Sequence, residues 1–216
     1  MYIVLLGPPG SGKGTQGELL AEHFHISHVS TGDLLRARLS NPDHPLYPEV
    51  QVIKEGKLVS DEVVNKVIED GLNKHEHQNG IIFDGYPRTV SQARSLDNML
   101  FAKGRKVDMV IDLDVTEEVL LERLLGRRMC PDCKKIYHIK QGYEKCPECD
   151  VALIKRDDDN EETITERFKE YRSKTAPVQQ YYTDSSANYI NVVVKDSSLT
   201  PQDVQKEILS KLNGLR

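Results

Sequence analysis

The chain has 216 residues, 29% of them charged, and a net charge of -5. That length buries a good core as one main domain with room for one or two insertions, and the acidic balance argues against a general binder of nucleic acid or anionic membrane. No apolar run approaches membrane-spanning length, and the apolar N-terminal residues lack a basic leader, so they read as a strand rather than a signal peptide and the cytosol is the expected compartment.

Tyr2-Ile3-Val4-Leu5-Leu6 reads as a buried strand, and Leu19, Leu20 and Phe24 mark a helix. Between them lies Gly7-Pro8-Pro9-Gly10-Ser11-Gly12-Lys13-Gly14-Thr15. Strand, glycine loop and helix in that order form a phosphate cradle. Its glycines let backbone N–H groups converge on one anion, the helix start adds a positive dipole end, and Lys13 brings a full charge to the terminal phosphates. A loop that merely connects two elements needs no such coincidence of strand, spacing, lysine and hydroxyl. Most such loops place Ser or Thr directly after the lysine, whereas here Gly14 intervenes and the hydroxyl comes at Thr15. Magnesium is therefore expected to be held mainly by phosphates, waters and a carboxylate elsewhere.

His28-Val29-Ser30 follows as a short second strand, and Thr31-Gly32-Asp33-Leu34-Leu35-Arg36 opens a helix. Thr31 or Asp33 either caps it or serves a ligand, and Arg36 is either a surface cation or an anion contact. A proline-rich passage and a short helix ending at Gly56 make residues 30–59 a small helical insertion able to move as a unit. Ser60-Asp61 starts a helix carrying Val63, Val64, Val67, Ile68 and Leu72. His75 and His77 sit in a polar loop without a cysteine or carboxylate pattern and read as solvated.

Gly80-Ile81-Ile82-Phe83 is a buried strand ending in Asp84-Gly85-Tyr86-Pro87-Arg88. Asp84 thus stands at the carboxyl end of a strand beside the phosphate loop, either holding magnesium through water or simply turning the chain. Thr89-Val90-Ser91-Gln92 has capping-box spacing, so Gln92 is structural, functional or both. A strand over 107–115 precedes a helix from Glu117 to Gly126 capped by Thr116. Arg123 and Arg127, four apart, are expected on one face of that helix with no carboxylate three or four residues before either, where an anion or solvent relieves them. Strand and helix alternate throughout, which implies a doubly wound parallel sheet with its ligand crevice at the strand carboxyl ends.

Cys130-Pro131-Asp132-Cys133 and Cys146-Pro147-Glu148-Cys149 stand twelve residues apart and hold all four cysteines. Two such pairs bring four thiolates to one tetrahedral metal. Zinc is preferred to iron because nothing suggests electron transfer, and four protein ligands make it structural. Asp150 offers an alternative oxygen ligand, and two disulfides are the alternative in an oxidising compartment. Arg156-Asp157-Asp158-Asp159 ends this segment, and Thr163-x-x-Glu166 boxes a helix carrying Arg167, with Glu170 as its partner. Residues 175–183 read as a helix, 189–194 as a last strand, and Thr200-Pro201 as the start of a terminal helix. The arginines Arg36, Arg88, Arg123, Arg127, Arg156 and Arg167 exceed what one nucleotide needs and suggest two phosphorylated substrates meeting.

These motifs, in this order, resemble the adenylate kinase family from end to end, in the type with a long zinc-bearing lid. The resemblance implies an α/β fold of P-loop type, a doubly wound parallel five-stranded sheet flanked by helices. Its core is residues 1–29, 60–126 and 160–216, its nucleoside-monophosphate insertion 30–59 and its lid 127–159. It implies a reversible magnesium-dependent transfer of the terminal phosphoryl of ATP to AMP. ATP would lie against Gly10, Ser11, Gly12, Lys13, Gly14, Thr15, Arg123 and Arg127, with its adenine near Ile136, Tyr137 and Leu199. AMP would be held by Thr31, Arg36, Lys57, Leu58, Val59, Gly85, Tyr86, Pro87, Arg88, Gln92, Arg156 and Arg167. Lys13, Arg88, Arg123, Arg156 and Arg167 would bear on the transferred group, Asp84 on magnesium, and Cys130, Cys133, Cys146 and Cys149 on zinc. The spacer between the cysteine pairs is shorter than is usual for such lids. The expected partners are the nucleotides ATP, AMP and ADP alone, and the chain is expected to be a monomer.

Kinases acting on UMP, CMP or GMP share this frame and are the alternative. A regulatory GTPase would need Asn-Lys-x-Asp, and Asn65-Lys66 and Asn73-Lys74 both lack the aspartate. A zinc-ribbon nucleic-acid binder would need a basic, aromatic-lined face around the cysteines, against the acidic balance.

Overall fold

The computed structural model describes residues 1–72, 79–196 and 198–214, so the reading of His75 and His77 lies outside the described residues. Five parallel strands form the main sheet: β1 (Tyr2–Leu6), β2 (Ser27–Ser30), β3 (Ile81–Asp84), β4 (Met109–Val115) and β7 (Asn188–Val194), in the order β2-β3-β1-β4-β7. The register pairs Leu5 with Asp84 on one side and with Ile111 on the other. β1 is therefore central, and its carboxyl end opens where the chain switches from one side of the sheet to the other. That switch point is where a parallel sheet leaves a ligand crevice.

Successive strand residues point to opposite faces. Ile3 and Leu5 enter a core with α1 (Lys13–Phe24), α6 (Glu117–Gly126), α7 (Glu161–Glu170) and α9 (Pro201–Asn213). Val4 and Leu6 enter a second core with α2 (Thr31–Leu39), α3 (Tyr47–Val50), α4 (Asp61–Leu72), α5 (Val90–Phe101) and α8 (Ala176–Thr183). Burial on both faces is why β1 and β3 read as unbroken apolar runs rather than alternating ones. None of the described helices is long and apolar enough to cross a membrane.

Between α6 and α7 the chain leaves the sheet as an antiparallel pair, β5 (Arg127–Met129) and β6 (Ile136–His138), closed by bridges from Met129 to Ile154 and from Lys145 to Ala152. Neither core cluster includes a residue of 127–159.

Several local expectations are corrected. The cap of α2 is Ser30, whose hydroxyl accepts from the Asp33 N–H, and not Thr31 or Asp33. Asn160 caps α7 three residues before Thr163, accepting from the Thr163 N–H at 2.9 Å. Thr116 stands at the start of α6 without a side-chain cap bond. Arg127 is not on α6: the helix ends at Gly126, and Arg127 turns extended (φ -64, ψ 137) to begin β5.

Candidate active site

The loop after β1 is shaped by its glycines. Gly10 has φ +85, and a Cβ there would come within 2.9 Å of Leu124 Cγ; Gly12, at φ +98, stands at the head of α1. No side chain caps that helix start, so its first N–H groups face the loop free to take an anion. Lys13 folds back over the loop, donating to the carbonyls of Gly7 at 2.7 Å and Pro8 at 2.9 Å. Burial, aided by the charges of Arg88 and Arg167 and opposed by Asp84, pushes its ammonium down to about 8. Arg123 donates to the Ser11 carbonyl at 3.3 Å, which ties α6 to the loop.

Asp84 comes from the neighbouring strand end. Burial opposes its ionisation, yet the contact with His28, 3.4 Å away, and the charges of Lys13 and Arg88 hold its carboxyl below the usual range. An ionised carboxylate beside the phosphate loop fits a water-mediated magnesium ligand.

A cavity opens at Gly85, the residue after Asp84. Thr31, Arg36, Lys57, Leu58, Val59, Gly85, Arg88, Gln92 and Arg167 line it together with Asp158. Tyr86, Pro87 and Arg156 are not among its lining residues. Tyr86 is fully buried in the core, its hydroxyl donating to Asn65 Oδ1 at 2.6 Å. The capping box at Thr89 is half made: the Thr89 hydroxyl accepts from the Gln92 N–H, while the Gln92 side chain reaches past the Thr89 N–H to the Arg88 N–H and to Asp61.

Guanidinium groups crowd the space between the two sites. Burial, with Arg167 next to it, pushes Arg88 down to about 10, and burial, with Arg36 and Arg127, pushes Arg156 down to about 9. Arg156 Nη2 lies 3.9 Å from Asp33 Oδ1, and Asp33 holds Arg36 at 2.5 Å. The residue that sequence reasoning missed is Asp159, which is 0% exposed. It accepts two bonds from Arg127, at 2.7 and 2.5 Å, and one from Arg167 at 3.1 Å. Its one signal in the sequence is the acidic run 157–159. Asp159, not a ligand alone, relieves Arg127, and Asp158 and Asp159, not Glu170, pair with Arg167. Glu170 pairs instead with Lys174.

Ile136 and Tyr137 lie in β6, with the Tyr137 hydroxyl 3.4 Å from Cys146 Sγ. Leu199 packs its side chain against the core, and its N–H donates to the Asp196 carbonyl at 3.4 Å. The two cysteine pairs adopt the same turn. Cys130 N–H bonds to Lys135 O and Lys134 N–H to Cys130 O, and Cys146 repeats this with Val151 and Asp150. All four Sγ atoms lie within 4.8 Å of one another. Cys133 and Cys146 stand 3.7 Å apart, the edge of a tetrahedron whose metal–sulfur bonds are about 2.3 Å. The sulfurs are not joined as disulfides in this arrangement, which favours the metal reading. Asp150 is outside the group and reaches Lys145 Nζ at 3.3 Å, which removes it as the alternative ligand.

The family model described as adenylate kinase matches residues 5–187. A protein named adenylate kinase from Kosmotoga olearia is 40% identical over the whole of both chains. One of that name from Thermoanaerobacter sp. is 40% identical over 98% of each, and one from Methanothrix thermoacetophila 45% identical over 85% of this chain and 86% of its own. Identity at this level along the full length of both proteins carries more than a shared fold, and the chain therefore belongs to the adenylate kinase family.

Proposed function

We propose that the chain transfers the terminal phosphoryl group of ATP reversibly to AMP, giving two molecules of ADP. The observation that carries this reading is the surplus of positive charge at one crevice. Lys13 and the six arginines outnumber Asp33, Asp84, Asp158 and Asp159, and burial and mutual repulsion weaken the basicity of Lys13, Arg88 and Arg156. Such a cluster gains stability when anions enter it, and its span from the phosphate loop to the cavity at Thr31 suits two nucleotides placed end to end.

In the reaction the bond from the γ-phosphorus to the β,γ-bridging oxygen breaks while an oxygen of the AMP phosphate bonds that phosphorus in line. The acceptor is already ionised, so no general base is required of the protein. Residues 10–15, Arg123 and Arg127 hold ATP. Arg88, Arg156 and Arg167, with Lys13, neutralise the oxygens of the group in flight. Asp84 would hold magnesium through water, and the ion would supply charge neutralisation to the phosphates.

Residues 30–59 and 127–159 act as two closures over a core of 1–29, 60–126 and 160–216. The approach of Arg156 to Asp33 supports this division, since it joins one closure to the other. Shutting both excludes water, which would otherwise take the phosphoryl group. The four cysteines hold a structural zinc that orders the lid tip without joining the chemistry. Thiols set out for a metal rather than for disulfides support a reducing compartment such as the cytosol. Incubation with ATP, magnesium and each of AMP, UMP, CMP and GMP tests the whole reading. ADP should form fastest with AMP, and an absence of ADP from ATP and AMP would overturn it.

A further inference from the structure

Gln92 lines the cavity assigned above to AMP, and its side chain is only 2% exposed. Its Oε1 accepts from the Arg88 backbone N–H at 2.7 Å, and its Nε2 donates to Asp61 Oδ1 at 2.8 Å. Both partners have a polarity that is not in question, since a backbone N–H only donates and an ionised carboxylate only accepts. Asp61 is anchored in turn by the Thr89 hydroxyl, which donates to Oδ2 at 2.7 Å. Turning the amide over would set Nε2 against the Arg88 N–H and Oε1 against the carboxylate. Two buried polar groups would then lose their partners and meet like polarity.

One lone pair on Oε1 and one N–H on Nε2 remain for a ligand. Thr31 Oγ1, in the same cavity, is buried and without a partner among the described residues, a second polar atom that a ligand would satisfy. We propose that Asp61 is a positioning residue that sets base selectivity. By holding Gln92 with its carbonyl and N–H in fixed places, it favours a purine monophosphate with a donor at position 6 and an acceptor at position 1. A base with the reversed pair is rejected. This rests on the assignment of the cavity to AMP.

Inosine monophosphate separates polarity from size, because it keeps the shape of AMP while exchanging donor for acceptor at both positions. The experiment measures kcat/KM with magnesium and ATP for AMP, purine riboside monophosphate and inosine monophosphate, in the wild-type chain, Asp61→Asn and Gln92→Leu. Wild type should rank AMP first, purine riboside monophosphate second and inosine monophosphate last. Asparagine presents either polarity to Gln92, so Asp61→Asn should narrow the gap between AMP and inosine monophosphate by roughly tenfold, with inosine monophosphate gaining in absolute terms. A merely structural weakening would lower all three together. Should Gln92→Leu collapse the ratio while Asp61→Asn leaves it at the wild-type value, the lock is overturned and the cavity assignment stands. If Gln92→Leu also leaves it unchanged, both are overturned. The wild-type ranking tests the proposal even if a variant fails to fold, since equal use of AMP and inosine monophosphate refutes it.

Discussion

Burial beside Arg88 and Arg167 brings the Lys13 ammonium from an ordinary value of 10.5 to about 8, against the pull of Asp84. Between those two values the unfolded chain binds the proton and the folded chain does not, so this residue's contribution to stability rises with pH across that window. Below about 8 both states are charged, and the cost of burying the ammonium is present in full. Phosphate oxygens entering the loop reverse the balance by favouring the charged form. ATP binding at pH 8 should therefore take up as much as about half a proton, and at pH 6.5 almost none from this group. Calorimetry in buffers of different ionisation enthalpy measures the uptake. Lys13→Met should remove the uptake at pH 8, and a variant that still takes up the proton there would exonerate the lysine. The spacing of the loop makes Lys13 itself legible in the sequence. Its weakened basicity is not, because that depends on arginines from distant elements packed around it.

The strands and most helices follow from apolar patterning alone, because a sheet buried on both faces demands it. Element ends are less legible, since a capping hydroxyl, amide or carboxylate competes with others a residue or two away. At α7 the spacing of Thr163 and Glu166 imitates a capping box, while Asn160 makes the bond. Asn160→Ala should lower stability by about 1 kcal/mol, read as a shifted denaturant midpoint at unchanged slope. Glu166→Ala, which removes no cap bond, should stay within about 0.5 kcal/mol of wild type. Equal losses from the two would return the cap to Thr163 and Glu166. The same limit explains Arg127, whose distance of four from Arg123 means a shared face only while the helix continues. Gly126 ends it, and a Cβ at that glycine would fall 2.0 Å from His138 Nε2, so β6 packs where the next helical turn would run. At Gly10, positive φ and the approach to Leu124 act together, and Gly10→Ala should cost about 1–3 kcal/mol and weaken ATP binding. A thermal melt with and without ATP checks both effects.

Across the whole molecule, order is unevenly founded. The sheet and its helices share two apolar cores, whereas the segment 127–159 contributes to neither, and its Ile139, Tyr143 and Ile154 are exposed. Inside it the buried side chains are Cys130 and Cys146 at the tip and Asp158 and Asp159 at the base. The base is held by ion pairs to Arg127 and Arg167, and the tip by whatever joins four sulfurs. A structural zinc in small modules contributes roughly 10 kcal/mol or more to folding, far more than two short strands gain alone. Chelation should accordingly melt the tip while the five-stranded sheet persists, giving an early thermal transition that added zinc removes. Trypsin should then cut at Lys134, Lys135, Lys140 or Lys145, sites that the loaded protein protects by its fold. ATP affinity should fall while AMP affinity changes little, because Thr31, Arg36 and Gln92 stand on elements outside the lid, and Arg156 and Asp158 belong to its base rather than to the tip that melts. A chelated chain that melts in one step and resists the protease as well as the loaded one would mean that the cysteines do not order the lid through a metal.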